Sequence, residues 1–365
     1  MATDPNWSPD EALAFISSDS RQIAVAATAQ GVHLVWSQAS TLFHTWRVHG
    51  AWQKPIKVAT GEQPTVAASA DGMLVCAYAN WFLGNREIYV TTWNGAKWSL
   101  PQLASRTSGE SSDAAICIGP DGRVHLVWAD STPGYSTIYY ATREATAWKN
   151  MPIPNGKGSR PSIAVNDKAV FVAWQSRLAS SESGSYDILA ASLRDGEWTL
   201  PDIVSDTPAL HSILPYIALS AEGHCHLVWQ EARNGLFVIR HSDRWPNGWS
   251  APVDVSDPTV DARLAFTAPN SLGLFQFLWA EGALIKHRVR PGAPLGAWWP
   301  SEVVCVTHTS LSELVGVISP TDGILHAVFC TYENGAGRQF YYAQRKTVER
   351  KKVLLPLISN EATRD

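Results

Sequence analysis

One unit of this sequence reads Ala114-Ala-Ile-Cys-Ile-Gly-Pro-Asp121-Gly122-Arg-Val-His125-Leu-Val-Trp128, and related units recur along the whole chain. It consists of two apolar runs joined by Asp-Gly, which is the strongest short signal for a β-hairpin. A third run of strand-forming residues follows after a loop, Thr137-Ile-Tyr-Tyr-Ala-Thr142. The unit therefore predicts three consecutive antiparallel strands.

Tryptophan marks the next element of the unit. It recurs about every fifty residues, at Trp7, Trp52, Trp98, Trp148, Trp198, Trp249 and Trp299. Proline closely follows most copies, as in Trp98-Ser-Leu-Pro101. Because proline lacks an N–H group, this segment suits an outer edge strand. We interpret it as the fourth strand of each unit.

The ends of the second strands and the starts of the three-strand sets each indicate seven units. Second strands end at Trp36, Tyr78, Trp128, Trp174, Trp229, Trp279 and Phe329, and sets of three strands begin near Gln22, Pro64, Ala114, Pro161, Ile213, Leu264 and Leu314. No segment has helical periodicity. Seven four-stranded antiparallel units predict an all-β, seven-bladed β-propeller, in which only short, protected sheet edges remain.

The two ends of the chain compete for the last sheet position. The tryptophan-marked segment from Trp7 to Ser17 precedes every complete unit, so we expect it to pair with the strands at 314–345 and close the ring. The alternative is the tail, where Val353-Leu-Leu-Pro-Leu-Ile358 resembles a fourth strand. We predict one propeller domain over 1–345, with 1–20 as the closing segment and 346–365 as a basic and apolar extension.

Composition excludes several classes of partner. Charged residues make up 17% of the 365 residues, against about 25% in typical domains, and the net charge is −4. That charge gives no general attraction to nucleic acid or to anionic membranes. The first residues lack a basic and an apolar segment, and no apolar stretch is long enough to insert into a membrane. We expect a cytoplasmic protein, with secretion by another route left open.

The cysteine pattern does not predict a disulfide framework. The five cysteines are odd in number and have no CxxC spacing. Each lies in an apolar run, so we interpret them as buried thiols in a reduced compartment. We predict no metal site and no cofactor, and the sequence does not indicate an oligomeric state.

The unit resembles the repeat of sialidase-like (BNR-repeat) propellers over nearly the whole chain. That family carries an Asp box, Ser-x-Asp-x-Gly-x-Thr-Trp, between the third and fourth strands, and here eroded versions stand there, such as Ser192-Leu-Arg-Asp195-Gly196-Glu-Trp198. True sialidases have six blades rather than seven. In blade number and tryptophan content the chain is also similar to seven-bladed bacterial lectins, which bind sugars between blades. These resemblances imply a fold, and function must be argued from a site.

Loops between second and third strands hold the candidate ligand residues. An acid, amide or arginine recurs there, and a flat aromatic joins them in one loop. The set is Asn80, Trp81, Arg86, Asp130, Gln175, Arg177, Glu231, Arg233 and Glu281. One interpretation is a rim of acceptors and donors for sugar hydroxyls. The other is that these groups bond neighbouring loop backbone.

Catalytic candidates come from the resemblance to sialidases, in which three arginines clamp the substrate carboxylate. Arg21, Arg160 and Arg263 stand at the starts of inner strands, and guanidinium groups pair well with carboxylates. Tyr332 with Glu333, or Tyr216, could then supply an activated nucleophile. The alternative is that these arginines pair with neighbouring loops.

Two further sets repeat or stand out. The histidines His33, His125, His226 and His326 share one position of the repeat, which predicts a repeated structural hydrogen bond rather than a metal site. Extra aromatics occur at Trp81-Phe82, Trp245-Pro246 and Trp298-Trp299. They either contact a ligand or partner, or pack locally.

We predict a non-catalytic binding propeller, with a lectin-like carbohydrate site on the loop face or between blades. An intracellular protein-interaction scaffold or subunit of a larger complex is the first alternative. A diverged sialidase-like glycoside hydrolase is the second, and it requires Arg21, Arg160 and Arg263 to converge in one central pocket.

Overall fold

The computed structural model describes residues 5–69, 71–144, 147–178, 184–207, 209–292, 297–307, 311–333 and 337–345. Its regular structure consists of β-strands arranged in seven antiparallel sheets, and no α-helix occurs among these residues. The seven sheets are the blades of a propeller, as the repeat predicts.

The strands follow the chain blade by blade. The chain begins with β1 (Glu11–Ala12), which belongs to the last blade. Blade 1 contains β2 (Arg21–Thr28), β3 (Gly31–Gln38), β4 (Thr41–Val48), β5 (Ala51–Trp52) and β6 (Ile56–Thr60). Blade 2 contains β7 (Glu62–Ala68), β8 (Leu74–Phe82), β9 (Asn85–Trp93) and β10 (Gln102–Leu103). Blade 3 contains β11 (Ser111–Ile118), β12 (Val124–Asp130), β13 (Thr137–Glu144) and β14 (Ala147–Lys157).

The remaining blades repeat this order. Blade 4 contains β15 (Ser159–Val165), β16 (Val170–Ser176), β17 (Asp187–Arg194), β18 (Glu197–Trp198) and β19 (Asp202–Ile203). Blade 5 contains β20 (Ser212–Leu219), β21 (Cys225–Arg233), β22 (Leu236–Trp245), β23 (Gly248–Trp249) and β24 (Val253–Asp254). Blade 6 contains β25 (Ala262–Pro269), β26 (Leu274–Glu281), β27 (Leu284–Pro291) and β28 (Glu302–Val306). Blade 7 contains β29 (Leu311–Ile318), β30 (Leu325–Glu333) and β31 (Gly337–Gln344).

The first strand of each blade faces the axis, and β2 of blade 1 lies beside β29 of blade 7. The N-terminal segment completes blade 7, since Glu11 pairs with Tyr342 and Trp7 bridges to Arg345. The predicted closure by the N-terminal strand is confirmed. The competing tail, 346–365, lies outside the described residues.

The repeated tryptophans join neighbouring blades. In five junctions the tryptophan of one blade packs edge-on against a histidine or tyrosine on the third strand of the preceding blade. The pairs are Trp52 with Tyr342, Trp98 with His44, Trp198 with Tyr140, Trp298 with His241 and Trp7 with His287, at centroid distances of 5.1 to 5.5 Å. In blade 6 the packing ring is Trp298, one residue before the tryptophan of the fifty-residue period. Edge-to-face packing at blade junctions is therefore the shared role of Trp7, Trp52, Trp98 and Trp198.

The repeated histidines of the second strands contact the same third-strand rings from within their own blade. Each hydrogen-bonds through Nδ1 to the third-strand ring of its own blade, so the predicted structural role is confirmed. The pairs are His33 with His44 (3.1 Å), His125 with Tyr140 (2.7 Å), His226 with His241 (2.8 Å) and His326 with Tyr342 (2.8 Å). Blade 6 has Gln276 at this position, bonded to His287 at 2.8 Å. Burial lowers the pKa of His125 to about 4, so its ring is neutral at pH 7.

Candidate functional site

The propeller has two faces with different concave sites. The loop face carries the loops between second and third strands, whereas the turn face carries the turns between first and second and between third and fourth strands. Pockets between blades open on the turn face, and one pocket on the propeller axis opens on the loop face.

The turn-face pockets lie at equivalent positions of the repeat. Each is lined by a first turn from one blade, by the end of a third strand, and by residues of the adjacent blade. Their volumes are about 190 Å³ between blades 7 and 1, about 340 Å³ between blades 3 and 4, and about 710 Å³ between blades 4 and 5. We call the largest the blade 4–5 pocket.

The blade 4–5 pocket lies where blade 4 departs from the histidine position of the repeat. Phe171 stands where four of the other blades have histidine, three residues before the buried Trp174. Its ring lines the pocket and belongs to an apolar cluster against which Trp249 packs. Trp245, the last residue of β22, and Pro246 directly after it line the pocket on the blade 5 side. The pocket therefore combines an apolar floor with an aromatic rim.

Two arginines of this pocket have weak partners or none. The guanidinium of Arg194 lies 5.5 Å above the Phe171 ring, and among the described residues no carboxylate lies within 4 Å of it. Arg244 has one ionic contact, to Asp202 at 3.8 Å, and stands 5.8 Å above the Trp249 ring. Guanidinium N–H groups thus remain for a ligand.

The carboxylates of the pocket differ in their availability. Asp243 is held by Arg290 at 3.0 Å, so its charge is already paired. Within the described part of the chain no cationic side chain lies within 4 Å of the Glu222 carboxylate, and hydrogen bonds from its own backbone amide and from Ser220 lower its pKa. The pocket can therefore offer guanidinium donors and one ionised acceptor around an aromatic surface.

The axial pocket has a volume of about 350 Å³ and receives residues from the first strands of all seven blades. Every first strand has a register shift against its neighbour near its start. In six blades the bulge residue adopts a left-handed backbone with φ between 52° and 60°, at Gln22, Gln63, Asp113, Arg160, Leu214 and Leu264. These six residues and Leu314 of blade 7 line the pocket. The bulges turn one side chain per blade toward the axis.

The three predicted catalytic arginines do not share one pocket. Arg160 is a bulge residue and lines the axial pocket, where it pairs with Asp113 at 3.1 Å. Arg21 and Arg263 stand one residue before the bulge in their strands and do not line the pocket. Arg263 instead pairs with Asp261 at 2.6 Å.

The predicted tyrosines are likewise separated. Tyr216 lines the axial pocket and packs edge-on against Phe266. Tyr332 is exposed at the end of β30 on the loop face, and the side chain of Glu333 lies outside the described part of the chain. The structure brings Arg160 and Tyr216 to one pocket and leaves Tyr332 outside it.

The buried acids among the predicted ligand residues join loops to strands. Asp130 accepts hydrogen bonds from Thr107, Ser111 and the indole of Trp128. Glu281 accepts from the amide of Asp257 at 2.9 Å and contacts Lys286.

Glu231 does the same in blade 5. It is fully buried between Arg233 and Arg240 and accepts a hydrogen bond from Thr207. Arg233 also contacts Asp254. These groups are already saturated by the protein.

The remaining loop-face candidates have mixed surroundings. The amide oxygen of Gln175 accepts from the backbone of Leu214 at 3.0 Å, and that of Asn80 accepts from the backbone of Trp81. Arg86 contacts Glu62 at 3.8 Å, and Arg177 lies 4.7 Å above the Tyr186 ring. The Trp81 ring is 64% exposed, so it is available to a partner.

Sequence reasoning singled out Trp245 and Pro246 and missed the rest of the blade 4–5 pocket. The missed residues are Phe171, Arg194, Glu222, His224, Asp243 and Arg244. One signal was present, because Phe171 places an aromatic ring where four other blades have histidine. The charged residues come from the end of β17, the β20–β21 turn and the end of β22, and they carry no common spacing.

Metal sites and membrane-spanning helices are both absent from the described residues. No group of three or more His, Cys, Asp or Glu side chains is arranged to hold a metal ion among them. No helix that is both long and apolar enough to span a bilayer occurs there either.

Comparison with known proteins reveals relatives in fold. No family model and no curated protein matches the chain. A polysaccharide lyase, an ulvan lyase of family PL25, is 12% identical with a TM-score of 0.61, over 92% of this chain and 96% of its own. A protein of unknown function from Dyadobacter fermentans is 12% identical with a TM-score of 0.57, over 94% and 100%. An α-L-arabinanase of Penicillium chrysogenum, complexed with arabinobiose, is 11% identical with a TM-score of 0.52, over 89% and 98%. At these identities the likeness shows the fold alone.

Proposed function

We propose that this protein binds carbohydrate in the blade 4–5 pocket. The observation that carries the proposal is the combination of the Trp245 ring with the guanidinium groups of Arg194 and Arg244, above a floor that contains the buried Phe171 ring. Aromatic faces pack against the C–H surface of a sugar ring, while guanidinium and carboxylate groups bond its hydroxyls. The volume of about 710 Å³ falls within the range of small-ligand sites, roughly 300 to 1,000 Å³.

Relatives in fold support this class of ligand. Both the polysaccharide lyase and the arabinanase are propeller proteins whose names refer to polysaccharides. The likeness is too distant to carry over a reaction or a residue. The proposal is for binding, because the arginines expected to clamp a substrate carboxylate are distributed over different surroundings.

The test is a glycan array followed by calorimetry on the best glycan. Trp245→Ala and the double variant Arg194→Gln/Arg244→Gln remove the aromatic and the ionic part of the site. Each should weaken binding at least about tenfold, which corresponds to about 1.4 kcal/mol. Trp81→Ala on the loop face is the matched control and should bind as the unchanged protein does.

Two results would contradict the proposal. A folded protein that binds no glycan of the array would remove carbohydrate as the ligand class. Binding that is lost in Trp81→Ala and kept in Trp245→Ala would move the site to the loop face.

A protein partner is the second candidate function, and one surface favours it. The tip of the β8–β9 hairpin exposes Trp81 and, at 91%, Leu83. Large exposed aromatics anchor protein interfaces. Affinity purification with the unchanged protein and with the double variant Trp81→Ala/Leu83→Ser would identify a partner that depends on this tip.

A further inference from the structure

The axial pocket has two chemically different halves. The residue that each blade turns toward the axis is polar in blades 1 to 4 and apolar in blades 5 to 7. The polar residues are Gln22, Gln63, Asp113 and Arg160, and the apolar residues are Leu214, Leu264 and Leu314. Because the blades follow one another around the ring, the polar residues form one continuous arc and the leucines form the other.

Within the polar arc, each side chain from Gln22 to Asp113 contacts the next residue of the arc, and the last contact is to Arg160. The amide oxygen of Gln22 accepts from the backbone of Gln63 at 2.8 Å, and that of Gln63 accepts from the backbone of Asp113 at 3.3 Å. Asp113 in turn contacts Nη1 of Arg160 at 3.1 Å. The amide oxygens and the carboxylate are thus engaged by neighbouring blades.

Arg160 ends the arc with donors to spare. Its side chain is 54% exposed, and its ionic contact is to Asp113 through one nitrogen. A guanidinium carries five N–H donors in a planar fork that matches a carboxylate. Arg160 is therefore the group of the pocket that can receive an anion.

The apolar arc exposes surface that a ligand could cover. Leu214 is 36% exposed and Tyr216 is 38% exposed, although both line a pocket. Leu264 completes this wall. Removing such surface from water is favourable by about 25 cal/mol per Å².

We propose that the axial pocket binds a small amphipathic carboxylate. Its carboxylate pairs with the free edge of the Arg160 guanidinium, and its ring or branched apolar group packs against Leu214, Tyr216 and Leu264. A sugar fits this wall poorly, because the leucines offer its hydroxyls no hydrogen bond. The site opens on the face opposite the blade 4–5 pocket and does not depend on carbohydrate binding.

Calorimetry with 3-phenylpropanoate as the probe tests the proposal. Two matched probes separate the halves of the ligand, since 3-phenylpropanamide lacks the charge and acetate lacks the apolar group. We expect saturable binding of 3-phenylpropanoate, at least tenfold weaker binding of both matched probes, and weaker binding at high salt.

Variants assign the binding to residues. Arg160→Gln should weaken 3-phenylpropanoate at least tenfold, and Asp113→Asn/Arg160→Gln should do the same without leaving Asp113 unpaired. Leu264→Asn, at a left-handed position that asparagine tolerates, should weaken it while leaving the preference for the carboxylate over the amide. Arg21→Gln is the control, because Arg21 does not line the pocket, and it should bind normally.

The proposal is overturned if the folded protein does not bind 3-phenylpropanoate. It is also overturned if the amide binds equally well, or if both Arg160 variants bind the probe as the unchanged protein does. Each of these results leaves the carbohydrate proposal untouched, because glycan binding is measured at the other face.

Discussion

Trp7 packs edge-on against His287 of blade 6, with ring centroids 5.5 Å apart. Its indole donates a hydrogen bond to Glu302 at 3.4 Å, and Glu302 also pairs with His287 and Arg345. Burial opposes ionisation of this carboxyl, but hydrogen bonds from His287 and Arg345 lower its pKa to about 2. One acidic group thus connects blade 6 with both chain segments that close blade 7.

Trp7→Ala should destabilise the protein strongly. The indole is buried among residues of blades 6 and 7, and truncation of a buried tryptophan costs about 3 to 5 kcal/mol. Urea unfolding followed by far-ultraviolet circular dichroism measures the loss. Trp81→Ala, which removes an exposed ring, should change stability by no more than about 0.5 kcal/mol. Equal midpoints for the two variants would contradict closure by the N-terminal segment.

Stability should fall as the pH is lowered from 6.5 toward 4. Burial lowers the folded-state pKa of His125 and of His326 from 6.5 to about 4. Between pH 6.5 and pH 4 the unfolded chain therefore binds protons at these histidines that the folded chain does not bind, and this favours unfolding. Each histidine can account for up to about 3 kcal/mol by pH 4. Urea unfolding at pH 7, 6 and 5 measures the slope.

His125→Gln should make that slope shallower. Blade 6 already carries Gln276 at the equivalent position, so glutamine is compatible with this place in the repeat. The variant removes one titrating group, and its stability should differ less between pH 7 and pH 5. An unchanged slope would assign the acid sensitivity to other groups.

Glu231→Gln should lower the stability of the fold, because Glu231 is a structural group rather than only a ligand-binding one. The carboxylate is buried between Arg233 and Arg240, and breaking a buried ion pair costs about 3 to 5 kcal/mol. Arg177→Gln, on the same face but exposed, is the control and should stay within about 0.5 kcal/mol of the unchanged protein. Thermal unfolding compares the two. A small effect in both would restore Glu231 as a ligand candidate.

Gly158→Ala should destabilise more than Gly95→Ala. Both glycines have left-handed backbones, which cost another residue about 1 to 2 kcal/mol. A methyl group at Gly158 would also lie 2.4 Å from the Trp174 ring and from the carbonyl of Gln175, whereas none of the described atoms lies within 4 Å of one at Gly95. The added overlap should cost roughly another 1 to 3 kcal/mol in urea unfolding. Equal losses of unfolding free energy in the two variants would show that the Trp174 ring shifts to accommodate the methyl group.

The thiols should be unreactive in the folded protein. Burial raises the pKa of Cys76 and of Cys225, and raises that of Cys117 to about 11. Because the thiolate is the reacting form, a disulfide reagent at pH 8 should label none of the cysteines within minutes. Five should react in urea. Rapid labelling without urea would show that a blade opens.

The sequence was sufficient for the architecture because its landmarks are large and periodic. Trp7 predicted the closure of the ring, and His125 and its equivalents predicted a repeated hydrogen bond. Their partners, such as Tyr140, were missed, because third-strand positions alternate between histidine, tyrosine and apolar residues.

The position of the axial site depends on which residue forms the β-bulge of each first strand, and the sequence period does not contain that information. Arg160 reaches the axis because it is itself the bulge residue, whereas Arg21 and Arg263 stand one residue earlier. Successive side chains of a strand point to opposite sides, so a shift of one residue redirects the group. Three arginines that look equivalent in sequence therefore have different surroundings.

Closure by Trp7 has a consequence in time. A ribosome adds about 5 to 20 residues per second, so Trp7 emerges roughly 20 to 70 s before Arg345, the residue to which it bridges. During that interval its ring has neither His287 nor the last sheet to pack against. The segment around Trp7 is thus made before all seven sets of inner strands but can pack only after them, and a nascent chain exposes it until blade 7 is complete.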